Sequence, residues 1–173
     1  MDNTQKKVLV AYATRAGSTA GVAERVAGVL SRNGFAAEAV RVDKVRDVAS
    51  YDAFVLGSAV RAGRLMPDAL RFLGRNKGAI GARPFATFVV CLTMKEKDEK
   101  SRAGAGAYLE PIRQRAKPLS EGLFAGAMDF AKLGIFARTI MKAMKADEGD
   151  FRNWDEVEAW ARSLVPLFGA RPS

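Results

Sequence analysis

Apolar positions along the first half of the chain follow two rhythms in turn. Lys7 to Ala13 is a continuous aliphatic run, the pattern of a strand buried on both faces of a parallel sheet. Val22, Ala23, Val26, Ala27 and Leu30 then recur at helical spacing, which predicts a helix N-capped by Ser18 and ending near Asn33-Gly34. Ala36 to Val42 alternates apolar and polar residues, as a strand nearer an edge does, and Ala53 to Gly57 reads as a buried third strand. Met66-Pro67-Asp68 opens a helix with proline in its first turn, where the missing N–H costs nothing. Pro84 to Thr93 is the longest apolar strand candidate. A helix around Ala105 to Ala116 and a fifth strand from Leu123 to Met128 follow it.

Asn153-Trp154-Asp155-Glu156 has capping-box spacing, and Val157, Trp160, Ala161, Leu164 and Val165 define one face of a closing helix that Pro166 should kink or end. Phe130 to Phe151 exceeds an ordinary αβ connection and reads as an insertion before that helix. Strands alternating with helices at this spacing predict an α/β architecture: a doubly wound, five-stranded parallel sheet with helices on both faces. One domain over residues 1–173 is expected, with ligands bound outside the carboxyl ends of the strands.

Composition narrows the chemistry. The 173 residues contain no histidine and one cysteine, Cys91, which removes the commonest general base and the commonest metal ligands, so no metal site is expected. Lys and Arg outnumber Asp and Glu by 28 to 19, a net charge of +9, and an anionic partner follows from that sign. "MDNTQKKVLVAYAT" holds too few apolar residues in a row for a signal-peptide core or a membrane span, so a soluble, cytoplasmic chain is expected, with contact to the inner face of the cell membrane left open.

The predicted βα turns carry the candidate ligand chemistry. Thr14, Arg15, Ala16, Gly17, Ser18 and Thr19 lie where the first strand passes into the first helix, so exposed N–H groups and the helix dipole favour a phosphate there. Neither the Walker pattern nor G-x-G-x-x-G is present, which favours a single terminal phosphate. Ser58, Ala59, Val60, Arg61, Ala62 and Gly63 follow the third strand at the same edge, and Leu92, Thr93, Met94 and Lys95 follow the fourth.

In order and spacing these three loops resemble the flavodoxin family. The resemblance is nearest to the flavodoxin-like, menaquinone-dependent protoporphyrinogen dehydrogenases, through "ATRAGST", "GSAVRAG", "TIMKAMK" and "NWDEVEAWA". It covers almost the whole chain and implies the flavodoxin-like fold and FMN as cofactor. Carried over, Thr14 to Thr19 bind the FMN phosphate, Ser58 to Gly63 meet one edge of the flavin ring, and Leu92 to Lys95 its other flank. The two flanking loops lack Trp and Tyr, so the usual aromatic sandwich is missing and one flavin face is open to a substrate. Arg61 falls near a position where electron-transfer flavodoxins commonly keep a glycine. A Cβ there disfavours positive φ, which suits two-electron dehydrogenation.

The function this implies is an FMN-dependent oxidoreductase that takes hydrogens from protoporphyrinogen IX and passes electrons to a quinone. The alternative is an electron carrier docking on a redox partner, although typical flavodoxins are acidic and this chain is basic. A nucleic-acid module is disfavoured because no RNA- or DNA-reading motif gathers its basic residues. No side chain is assigned a catalytic role.

Three further features have alternative readings. Arg61 and Arg64 either meet an anionic substrate or are solvated loop charges. "KLGIFARTIMKAMK", Lys132 to Lys145, reads as a basic amphipathic helix that either meets anionic lipid or packs on the domain. Packing is the expectation, because most amphipathic helices bury their apolar side in protein. Residues 95–102, "KEKDEKSR", are expected to be a solvated loop, and Cys91 a buried, inert thiol.

Overall fold

The computed structural model describes residues 4–169. Its main sheet contains five parallel strands: β1 (Lys7–Ala13), β2 (Ala36–Arg41), β3 (Ala53–Arg61), β5 (Phe85–Cys91) and β6 (Glu121–Ala125), in the spatial order β2-β1-β3-β5-β6. A two-residue strand β4 (Arg64–Leu65) folds back antiparallel on β3. Strand order reverses direction at β1, so β1 and β3 flank the topological switch point where this class of sheet binds its ligand.

Alternation along the strands sorts the core into two layers. In β1, Val8 and Val10 face the side covered by α1 (Ser18–Arg32) and α7 (Trp154–Leu167), whereas Leu9, Ala11 and Ala13 face the opposite layer. That second layer is formed by α2 (Pro67–Arg75), α3 (Lys77–Gly81) and α5 (Glu110–Arg113). Both faces of β1, β3 and β5 are buried, which explains their uninterrupted apolar sequences. Phe88, Phe124 and Trp160 interlock with centroids 5.5 to 5.9 Å apart and anchor α7 to the sheet.

Several expected boundaries move. Ser18 is the first helical residue of α1 and not its cap: Gly17, at φ +92°, holds the capping position, and Thr14 Oγ1 accepts the Gly17 N–H at 3.1 Å. The third strand runs four residues beyond Gly57, so Ser58 to Arg61 belong to β3, and Ala62-Gly63 forms the turn into β4 with φ +50° and +71°. A positive φ at both central residues gives a hairpin turn compatible with strand twist. Residues 99–102 are helical, in α4 (Glu99–Ala107), because Asp98 caps that helix by accepting the Ser101 N–H at 2.7 Å. Helix α4 ends at Ala107, and α5 follows as a separate turn with Pro111 among its first residues.

Strand β6 ends at Ala125, where the Gly126 carbonyl accepts the Phe151 N–H at 3.1 Å. The chain then enters the insertion, which holds the ribbon β7 (Ala127–Met128) and β8 (Gly149–Asp150) and the helix α6 (Ile135–Ala143). Asn153 caps α7 by accepting the Asp155 and Glu156 N–H groups, while the Glu156 carboxylate turns to Lys97 at 3.1 Å, so only half of a capping box forms. Pro166 lies within the last turn of α7, which ends at Leu167.

Candidate functional site

The turn between β1 and α1 leaves a helix N-terminus and a buried hydroxyl without partners. Thr14 is half-buried, Arg15, Ala16 and Gly17 are exposed, and Thr19 is fully buried. No side chain caps α1 and no acid stands in its first turn, so the positive end of the helix dipole is uncompensated. The Thr19 hydroxyl is the one buried side-chain polar atom without a hydrogen-bond partner among the described residues. A hydroxyl held out of water and unpaired costs on the order of 1–3 kcal/mol, and a phosphate oxygen is the acceptor this position lacks. Nothing lies within 4 Å of the Gly17 Cα face where a side chain would stand, leaving room for a ligand against the backbone.

The other two candidate segments reach the same carboxyl edge with different parts of their chains. Ser58 is buried: its hydroxyl donates to the Ala59 carbonyl at 2.8 Å and accepts the Met66 N–H at 3.0 Å, so it pins the β3–β4 hairpin. Ala59 and Val60 are half-buried, and Arg61, Ala62 and Gly63 form the exposed tip. Arg61 stands directly across from Arg64 in the β3–β4 register, and neither guanidinium has a hydrogen-bond acceptor among the described residues. In this hairpin the residue with a Cβ at positive φ is Ala62, one place beyond Arg61.

After β5, Leu92–Lys95 forms a single 3₁₀ turn. Leu92 and Thr93 are half-buried at the rim, whereas Met94 turns inward to a small core with Cys91, Ala105 and Ala125. Burial pushes the Cys91 thiol up, so this cysteine is an inert packing group. Lys95 pairs with Asp147 of the insertion and lies 4.8 Å from the Phe151 ring centroid. The hydrogen bond with Asp147 raises the Lys95 pKa and lowers that of Asp147.

The residues that tie the insertion to this edge carry no recognisable motif. Arg152 pairs in bidentate fashion with Asp150 at 2.9 and 2.6 Å, which holds the Asp150 carboxyl below its usual range. The same guanidinium donates to the Ser18 carbonyl at 3.4 Å and stacks 4.7 Å from Trp154, whose ring also carries Arg25 at 4.7 Å. Ser18 and Arg152 are 134 residues apart, so only the folded sheet reveals the contact. A groove of about 500 Å³ lined by Lys7, Phe35, Glu38 and Tyr51 among others lies at the opposite, amino-terminal ends of β1 and β2, away from the switch point.

Residues 9–155 match the Flavodoxin domain family. The chain belongs to that family. It is 24% identical over 174 residues to the quinone-linked protoporphyrinogen IX dehydrogenase of Escherichia coli K12, covering 93% of this chain and 96% of that protein. Among solved structures, oxidised flavodoxin 1 from Bacillus cereus superposes with a TM-score of 0.59 at 16% identity, covering 93% of this chain and 98% of that one. The FMN-bound flavodoxin of Fusobacterium nucleatum gives 0.55 at 10% identity, with 95% and 99% covered. FMN is the cofactor that membership of the Flavodoxin domain family implies, and the uncapped turn with its unpaired Thr19 hydroxyl fits the phosphate of such a group.

Proposed function

We propose that this flavodoxin-domain protein is an FMN-dependent oxidoreductase that oxidises a porphyrinogen of the protoporphyrinogen IX type and reduces a quinone at the cytoplasmic face of the membrane. Bound FMN supplies the redox chemistry: for each pair of hydrogens removed from the porphyrinogen, one quinone becomes one quinol. The chain supplies position and charge. Thr14, Gly17, Ser18 and Thr19 hold the phosphate tail at the α1 terminus. The β3–β4 tip and the Leu92–Lys95 turn border the ring. Flanks without Trp or Tyr leave one ring face accessible.

The observation that carries the reading is the Arg61–Arg64 pair. Like charges placed directly opposite on a hairpin repel, and an anion between them removes the penalty. Arginine suits carboxylates in particular, and a porphyrinogen presents propionate carboxylates at its edge. The relative that is similar over almost the whole chain acts on such a substrate. An electron carrier is less favoured, because a net charge of +9 and the exposed Arg61 and Arg64 fit a small anionic substrate better than the acidic character typical of flavodoxins.

The test is anaerobic turnover of protoporphyrinogen IX with a short-tailed naphthoquinone, followed by protoporphyrin fluorescence. Wild-type holoprotein should produce porphyrin, and Arg61→Ala/Arg64→Ala should raise KM roughly tenfold or more with a smaller change in kcat. A holoprotein that reduces redox proteins but yields no porphyrin refutes the reading and leaves the carrier.

A further inference from the structure

Helix α6 faces the wrong way for a helix of a soluble domain. Ile135, Phe136, Ile140 and Met144 are 80, 88, 58 and 71% exposed, and they account for four of the six exposed large apolar side chains among the described residues. At 100° per residue they share one half of the helix circumference with Thr139 and Ala143. The half-buried side toward the protein carries Ala137, Arg138 and Met141. The expected packing of this helix on the domain is therefore not what the fold shows: α6 has no buried residue. Burial fails because the arginine side of α6 is held inward. Arg138 donates to the Phe130 carbonyl at 2.9 Å and to the Ala131 carbonyl at 3.5 Å, which orients the apolar half outward.

Lys132, Lys142 and Lys145 are exposed along the element. Of the neighbouring acids, Asp147 pairs with Lys95 and Asp150 with Arg152, while Glu148 and Asp129 accept the Phe130 and Ala131 N–H groups. What remains is an apolar strip about 14 Å long flanked by lysines, and a helix of this kind lies in the plane of an anionic bilayer with its apolar side among the acyl chains. No helix among the described residues is long and apolar enough to cross a membrane, so surface contact is the mode left to α6.

We infer that α6 is an interfacial docking element for an anionic lipid surface. The inference deepens the proposed function, because Lys95–Asp147 and Arg152–Ser18 fix the insertion beside the cofactor turns, and a docked α6 presents that edge to the layer in which a long-tailed quinone dissolves. A second copy of the chain suits the face less well, since it would bring two sets of lysines together.

The experiment is co-sedimentation of FMN-loaded protein with vesicles of phosphatidylcholine containing 40% phosphatidylglycerol, and with phosphatidylcholine alone. Binding should require phosphatidylglycerol and weaken with salt. Lys132→Gln/Lys142→Gln/Lys145→Gln should bind on the order of 100-fold more weakly. Phe136→Ser/Ile140→Ser should bind about tenfold or more weakly, with unchanged melting temperature because both side chains are already exposed. Absence of wild-type binding, or full binding by the serine variant, overturns the inference. So does a wild-type dimer in sedimentation velocity that the serine variant abolishes while vesicle binding persists. Vesicle binding is read without turnover, so it stands or falls independently of the porphyrinogen assay.

Discussion

Replacing Thr19 by valine separates a ligand-binding hydroxyl from a core residue. The side chain is fully buried and its Oγ1 has no partner, so the free protein carries an unpaired hydroxyl in the first turn of α1. Valine has the same shape with a methyl in that place. Removing an unsatisfied buried hydroxyl should stabilise the apoprotein by about 1 kcal/mol, which raises its melting temperature by roughly 2–4 °C for a domain of this size. Cofactor binding should move the other way. A hydrogen bond to a charged phosphate contributes about 1.5–3 kcal/mol, so the dissociation constant for FMN should rise roughly tenfold to 150-fold. Thermal melts of apoprotein and fluorescence titration with FMN measure the two effects. Thr19→Ser is the control, since it keeps the hydroxyl and should retain affinity while losing stability through the missing methyl. An apoprotein destabilised by Thr19→Val, with FMN affinity unchanged, would show that Thr19 only fills space.

Other consequences follow from single contacts. Gly57→Ala places a Cβ 2.1 Å from the Phe88 ring, which is locked by Phe124 and Trp160, and should destabilise by about 3 kcal/mol or more in urea titration, at the upper end for overpacking. Arg152→Gln removes the ion pair with Asp150 and the bond to the Ser18 carbonyl, and should weaken FMN binding roughly three- to tenfold, read by the same fluorescence titration. Partial burial, then the 2.5 Å hydrogen bond it donates to Glu38, pushes Tyr51 up to about 12. Its proton is held more tightly in the fold, so its contribution is complete below about pH 10 and is lost as pH rises through about 12. Denaturation midpoints across that range should fall less steeply in Tyr51→Phe.

The strands of the sheet and the hydroxyl-rich turn after β1 are legible in sequence because they depend on local periodicity. The runs Lys7–Ala13 and Phe85–Cys91 are apolar throughout since both their faces are covered, and one loop with hydroxyls at Thr14, Ser18 and Thr19 can sit only at the first strand's carboxyl end. What the sequence does not disclose depends on contacts between distant residues. Ser58 looks like a loop hydroxyl until the β3–β4 hairpin brings back the Met66 N–H, which donates to it. Met94 looks like a rim residue until Ala105 and Ala125 enclose it. Helix α6 shows the opposite failure: its periodicity marks an apolar face correctly, but periodicity alone does not say whether protein covers that face.

The stack of Arg25, Trp154 and Arg152 gives the molecule an internal optical reporter. Of the two tryptophans, Trp160 is enclosed by Phe88 and Phe124, whereas Trp154 touches the arginine that grips the Ser18 carbonyl. Its emission should therefore change when the mononucleotide arrives, through energy transfer to the yellow chromophore and through any shift of the neighbouring guanidinium. Occupancy can then be followed in unlabelled protein, even on turbid vesicle suspensions.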